Sequence, residues 1–383
     1  MYVPQPPEKL RHPIAVSGCP FGVFMRLTLP LASMFACAVF ASCSSPPPAA
    51  GEGEGEGEGE GEGEGEGEGE GEGEPGEGEG EGEGEGEGEG EPGEGEGEGE
   101  GEGEGENVDV FTRGVWTTTT RTLLAADTGL PVDVRVDLPE LLGRWPVVVY
   151  QHGFLMDVEW TSTMLSHVAS HGVVVVAPQM YAADNLPFGK PSTIDEAADA
   201  EAVLDFVRVG LADAIDAELV VDEPVVAGHS RGGKVLWRIL SDDPAAASGI
   251  VLIDPVDSNT NSDPLAVTSS LSLSQPTVVL GLGLSTQGFQ ACAPENVGHN
   301  HFAASLPTSA NHLLVEDGGH LDILDDQTPG CVLVCSACTE SSAPASLRAT
   351  AAGLIVATVF AAQGSSTAID DAITEAPVAI TTP

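Results

Sequence analysis

The chain has 383 residues and a formal net charge of −48, with 13 lysines and arginines against 61 acidic residues. A protein this acidic presents no basic face for nucleic acid and repels polyanionic substrates, which leaves neutral or cationic small molecules. Length alone suggests two or three domains, but residues 51–106 are Gly-Glu repeat broken only by Pro75 and Pro92, and take 27 of the 61 acids and 27 of the 49 glycines.

At the N-terminal end, Met25-Arg26 precede an apolar run from Leu27 to Ser42 that stops at Cys43. The run is too short for a transmembrane helix of about 20 residues and suits a signal h-region. Phe40-Ala41-Ser42-Cys43 resembles a bacterial lipobox, in which the cysteine is lipidated and becomes the new N-terminus. Residues 1–43 are therefore read as a leader and lipoprotein signal with Met25 as the start. The chain is expected to be exported and held at a cell envelope, touching membrane only through a lipid on Cys43; plain cleavage and secretion is the alternative. Residues 44–106, three prolines and then the repeat, hold nothing that can form a core and predict a disordered spacer. Self-repulsion keeps the 56 residues of the Gly-Glu tract extended, with a reach of at most about 185 Å at roughly 3.3 Å per residue.

Residues 107–383 suffice for one large globular domain. Val132 to Leu138 alternates apolar and polar, predicting a half-buried strand. Val147 to Tyr150 and Val173 to Val176 are continuous apolar runs, as in strands covered on both faces. Thr161 to Ser170 and Ile194 to Leu211 carry helical spacing. There follow a strand at Pro224 to Ala227, a helix at Gly232 to Leu240, and strands at Ile250 to Ile253, Thr277 to Leu280 and Leu313 to Val315. Ala345 to Ala362 is a long alanine-rich helix that contains Arg348 and lacks the flanking charges of a membrane span. Asp254 to Gln275 and Gly288 to Asn311 are read as loops. Strands alternating with helices imply an α/β fold, a mostly parallel sheet with helices on both faces.

Three motifs carry chemistry. Gly228-His229-Ser230-Arg231-Gly232 follows a strand and opens a helix, which fits a nucleophile elbow. The turn holds the serine in a strained conformation, the glycines leave room for it, and the helix N-terminus faces the developing charge. His152-Gly153-Phe154 follows the Val147 strand, where this architecture supplies an oxyanion donor; the backbone N–H groups of Phe154 and Arg231 are the candidates. Asp317-Gly318-Gly319-His320 follows the Leu313 strand, and His320 is the expected general base, with His299, His301 and His312 as rivals. The acid should lie between serine and histidine in chain order. Asp254, at the end of the Ile250 strand, is preferred and Asp257 is the alternative.

These segments, with Gln151-His152-Gly153-Phe154, Ser166 to Gly172, Ala177 to Tyr181, Ile253-Asp254-Pro255-Val256-Asp257, Cys292-Ala293-Pro294 and Gly319-His320-Leu321-Asp322, together resemble the plant-type chlorophyllases. Those are α/β-hydrolases close to platelet-activating-factor acetylhydrolases and bacterial cutinase-like esterases. The resemblance runs from about Trp145 to Asp326. It implies an α/β-hydrolase fold, a triad of Ser230, Asp254 and His320, and no cofactor. It does not carry over the family's phytyl-ester substrate.

The reading is therefore a serine esterase for a small neutral, hydrophobic ester, acting as a monomer. A non-catalytic binding module on the same fold and an acyltransferase are the alternatives. Of the remaining side chains, Cys292, Cys331, Cys335 and Cys338 in an exported domain predict two disulfides, with a zinc site as rival. His299 and His301 are read as shaping a loop rather than binding metal, and Asp322, Asp325 and Asp326 as a solvated acidic loop rather than a calcium site. Phe154, Met156, Trp160, Met180 and Tyr181 are candidates for an acyl pocket, and Ala182 to Ser192 for a lid.

Overall fold

The computed structural model describes residues 108–141, 143–181, 191–287, 291–326, 328 and 338–383. The leader with Cys43, the spacer, Cys331, Cys335 and all but the last two residues of the lid segment lie outside them.

Eight strands form one sheet in the order β1-β2-β4-β3-β5-β6-β7-β8. β1 (Thr118–Leu123), β2 (Val134–Pro139) and β4 (Val174–Pro178) pair antiparallel. From β4 onward, β3 (Arg144–Gln151), β5 (Glu218–His229), β6 (Gly249–Ile253), β7 (Thr277–Leu282) and β8 (Asn311–Val315) run parallel. The expected mostly parallel α/β sheet is thus borne out. Period-two alternation divides its side chains between two layers. Val148, Tyr150, Val175, Val225 and Val251 face α2 (Ser162–Ser170), α7 (Pro344–Ala362) and α8 (Ala368–Glu375). Val147, Val149, Val176, Val226 and Ile250 face α3 (Thr193–Val209), α4 (Leu211–Ile215) and α5 (Arg231–Asp242). Both faces are covered, so the central strands read as unbroken apolar runs.

Local chemistry sets the helix limits. Ser192 and Asp195 form a reciprocal capping box that starts α3, which satisfies two of the orphan N–H groups of a first turn. Pro344 opens α7, where a missing N–H costs nothing. By length and composition α7 could cross a membrane, but 67% of its most apolar stretch is buried inside the protein. Its Arg348 is buried too, donating to the Leu324 carbonyl and pairing with Asp326 at 2.8 Å.

Two expectations need correction, and further elements are added. β2 is buried on both faces rather than half-buried. Its polar residues Arg135 and Asp137 form a buried ion pair, Nε to Oδ2 2.6 Å, on the face opposite Val134, Val136 and Leu138. β1 was not anticipated, because its sequence TTTRTL has no apolar alternation; it is an edge strand, where polar and charged residues are favoured. The segment before β8, read as loop, contains the short α6 (His299–Ala303), and α8 also went unread. α1 (Ala125–Thr128) is a single turn closed by Gly129 at φ 76°.

Candidate active site

The site stands at the carboxyl ends of the parallel strands. β5 ends at His229 and α5 begins at Arg231, so Ser230 alone makes the turn, at φ 53° and ψ −120°. A positive φ at a non-glycine residue is costly, on the order of 1–3 kcal/mol, and persists only where the surroundings enforce it. Here Ser230 N–H donates to the Ile253 carbonyl at 3.0 Å, and Val256 N–H donates to the Ser230 carbonyl at 3.1 Å. Both elbow glycines are required by space. A Cβ on Gly232 would lie 2.1 Å from the Gln151 carbonyl oxygen, and one on Gly228 would lie 2.8 Å from the Gly232 carbonyl carbon.

Ser230, His320 and Asp254 come together from three separate segments. Ser230 Oγ lies 2.9 Å from His320 Nε2, and His320 Nδ1 lies 2.6 Å from Asp254 Oδ2. The geometry puts the hydroxyl as donor to Nε2 and Nδ1–H as donor to the carboxylate. All three side chains are buried. Asp254 follows β6 at φ 41°, its N–H donating to the Leu280 carbonyl at 2.6 Å. Asp257, the alternative acid, is placed elsewhere. It accepts from the N–H groups of Ala266 at 2.8 Å and Val267 at 2.9 Å, and faces Lys234 Nζ at 3.4 Å. The rival histidines are also placed elsewhere. His299 Nδ1 and His312 Nε2 are 2.8 Å apart, and His301 Nε2 is 3.5 Å from Asp257 Oδ2. The two histidines of the His-x-His pair thus have different partners.

The loop that carries His320 is held from three directions. Gly319 N–H donates to Asp322 Oδ2 at 2.8 Å, Ser341 N–H donates to the same carboxylate at 3.1 Å, and Leu284 N–H donates to the Gly318 carbonyl at 2.9 Å. His229 Nε2–H donates to the His320 carbonyl at 2.9 Å, with the two rings 4.7 Å apart. Burial, then the neighbouring His320, pushes His229 well below the usual histidine range, so it stays a neutral donor.

Pairing of β3 with β5 sets Gln151 opposite Gly228, which carries His152, Gly153 and Phe154 forward beside the elbow. His152 is buried, its Nδ1–H donating to the Gly153 carbonyl at 2.8 Å while its Nε2 accepts Met180 N–H at 2.9 Å. Burial lowers its pKa, so it too is a neutral tie between loops. The Phe154 ring meets Tyr181 edge-on at 5.9 Å, and the Arg231 guanidinium lies 6.0 Å from the Phe154 centroid and 5.7 Å from that of Tyr181. Arg231 is itself buried, paired with Glu196 at 2.9 Å and Asp263 at 2.8 Å. The two candidate oxyanion residues therefore touch through their side chains. Nothing in the sequence marked that contact, since it joins the loop after β3 to the first residue of α5.

Other expectations narrow. Met156, Trp160 and Met180 are core residues, while Phe154 and Tyr181 are half-buried. Asp322 is buried rather than solvated, and Asp325 takes Ser162 Oγ–H at 2.6 Å at the start of α2. Cys292 and Cys338 are disulfide-bonded, with Cα atoms 5.6 Å apart. Among the described residues, no group of three or more His, Cys, Asp or Glu could hold a metal ion.

A strained serine between a parallel strand and a helix, on the 1-2-4-3-5-6-7-8 sheet, defines a protein of the α/β-hydrolase type. Residues 106–382 match the chlorophyllase family model, and the chain belongs to that family as a chlorophyllase-like ester hydrolase. It is 33% identical to chlorophyllase-2 of Arabidopsis thaliana over 218 residues, covering 52% of this chain and 67% of that protein. Against the chloroplastic chlorophyllase-1 of Citrus unshiu it is 32% identical over 227 residues, 57% of this chain and 68% of the relative. Against chlorophyllase type 0 of Chenopodium album it is 27% identical over 270 residues, 65% and 77%.

Proposed function

We propose that this protein hydrolyses neutral, hydrophobic carboxylic esters through an acyl-enzyme on Ser230. The observation that carries the reading is the hydrogen-bonded run from Ser230 Oγ through His320 to Asp254, at 2.9 and 2.6 Å. Ser230 Oγ attacks the ester carbonyl while His320 Nε2 takes its proton. The carbonyl oxygen becomes an oxyanion facing the backbone N–H groups of Phe154 and Arg231, the latter an orphan donor of a helix first turn. Asp254 stabilises the imidazolium, which then protonates the departing alcohol. Water, deprotonated by His320, cleaves the acyl-enzyme and frees the acid.

An acidic domain favours neutral over anionic esters. The relatives are named for chlorophyll hydrolysis, and a long prenyl-type alcohol belongs to the substrate class proposed here. Export and tethering through Cys43 complete the reading. Two Citrus relatives are described as chloroplastic, so delivery away from the site of synthesis has parallels in the family.

The test is turnover of acetyl to long-acyl esters and a phytyl ester by the wild type and Ser230→Ala. Loss of the serine should reduce kcat by on the order of a millionfold. Retained turnover in the variant would sink the reading. Mass analysis of the envelope-bound protein should find a diacylated Cys43, and an unmodified residue there would refute the anchor.

A further inference from the structure

Asp254 has more partners than its histidine. Oδ2, which receives His320 Nδ1–H, also receives Ser285 Oγ–H at 2.5 Å, and Oδ1 receives Leu282 N–H at 3.2 Å. Ser285 is 1% exposed. It sits in a 3-10 turn, Gly283–Thr286, at the end of β7. That turn is fastened on both sides. Leu284 N–H donates to the Gly318 carbonyl, two residues before His320, and Ala293 N–H donates to the Ser285 carbonyl at 3.1 Å, beside the Cys292 disulfide. A Cβ on Gly283 would lie 2.3 Å from the Glu316 carbonyl oxygen, so the turn packs directly on the backbone that leads to His320.

We propose that Ser285 is a positioning residue for the reaction, acting through the carboxylate of Asp254. The proposal rests on the serine-hydrolase reading above. The terminal torsion of an aspartate is broad and roughly two-fold, so a single bond to His320 leaves the carboxylate plane poorly defined. A second donor on Oδ2 and a backbone donor on Oδ1 fix that plane, and keep Oδ2 aimed at Nδ1. Ser285 also takes up part of the negative charge in a place where bulk water does not reach. Without it the buried carboxylate keeps a lone pair unmatched and is free to turn. The neighbouring hydroxyl does not share this role, because Thr286 Oγ1 bonds the Gly283 carbonyl at 3.2 Å.

The test uses the full chain with Ser285→Ala, Ser285→Cys as a variant of similar volume but weaker donor, and Thr286→Ala as a control. A hydrogen bond to a charged group contributes about 1.5–3 kcal/mol, so kcat in Ser285→Ala should fall about 10- to 100-fold with KM little changed. Ser285→Cys should fall between wild type and Ala, and Thr286→Ala should match the wild type. The acid limb of kcat/KM should move to higher pH in Ser285→Ala, because a carboxylate with one donor fewer holds the imidazolium proton more tightly. The titratable groups facing the pair are His229, against the His320 ring, and His299, which feels Asp254 from α6; both are unaltered. Labelling of Ser230 by a fluorophosphonate separates the two readings. A wild type that is labelled and active, with Ser285→Ala turning over within twofold and with an unmoved acid limb, overturns the role of Ser285 alone. A folded wild type that is neither labelled nor active overturns both.

Discussion

Two aspartates three residues apart, Asp254 and Asp257, have opposite duties, and the difference lies in what reaches them. Asp254 meets His320, whereas Asp257 binds two backbone N–H groups and the buried Lys234. Burial lowers the Lys234 pKa, and the charges of Asp263 and Asp257 work against that, so the lysine relies on these carboxylates. Asp254→Asn should reduce kcat by about ten-thousandfold while the fold survives, since the amide reverses the bond that holds the imidazole tautomer. Asp257→Asn should leave turnover within a few-fold and lower stability by about 1–3 kcal/mol. Ester kinetics beside thermal melts of both variants check the pair; equal kinetic losses would show that the wrong carboxylate has been placed in the triad. Both aspartates satisfy the chain-order rule; the strand-end position favours Asp254, and the geometry separates the two by their partners. Ser285 carried no signal at all, because a lone serine 31 residues after Asp254 matches no spacing.

At the scale of elements, the segments that hold acid and base are stapled to one another. The Cys292–Cys338 bond closes a stretch of 46 residues in which β8 and His320 both lie. A loop of that length corresponds to about 4 kcal/mol of lost unfolded-state entropy. A Cys292→Ser, Cys338→Ser double variant should therefore melt roughly 10 °C lower, with turnover reduced as the His320 loop loosens. An unchanged melting temperature in calorimetry would show that the loop is held by its hydrogen bonds instead. The central strands of the two core layers, with α2, α3, α5 and α7, are legible because their apolar periods are long. β1 was not, since an edge strand needs no apolar face, and the burial of β2 was hidden because Arg135 and Asp137 neutralise one another.

Taken whole, the molecule carries buried and half-buried imidazoles on which its stability on the acid side of neutrality depends. His152, His167, His171, His229, His299 and His312 are all lowered from 6.5, in each case chiefly by burial. Below pH 6.5 the unfolded chain binds protons at these positions that the native state does not. Stability therefore rises with pH through the window below 6.5 and falls as pH drops into it. The melting temperature should decline from pH 7 to pH 5.5, before most carboxylates titrate. A flat profile over that range would contradict it. The pattern of residues specifies the fold class, since alternating apolar strands and helices admit few arrangements, and it locates the strand–Gly-x-Ser-x-Gly–helix turn, whose chemistry is local. It also determined the acidic character and the core-free Gly-Glu tract. The packing of the chain sets Asp254 against His320 and Ser285 against Asp254, lays the Arg231 guanidinium beside the Phe154 and Tyr181 rings, and joins Cys292 to Cys338. Each of those is a contact between segments tens of residues apart, set by strand order and register in the sheet, and no local pattern encodes it.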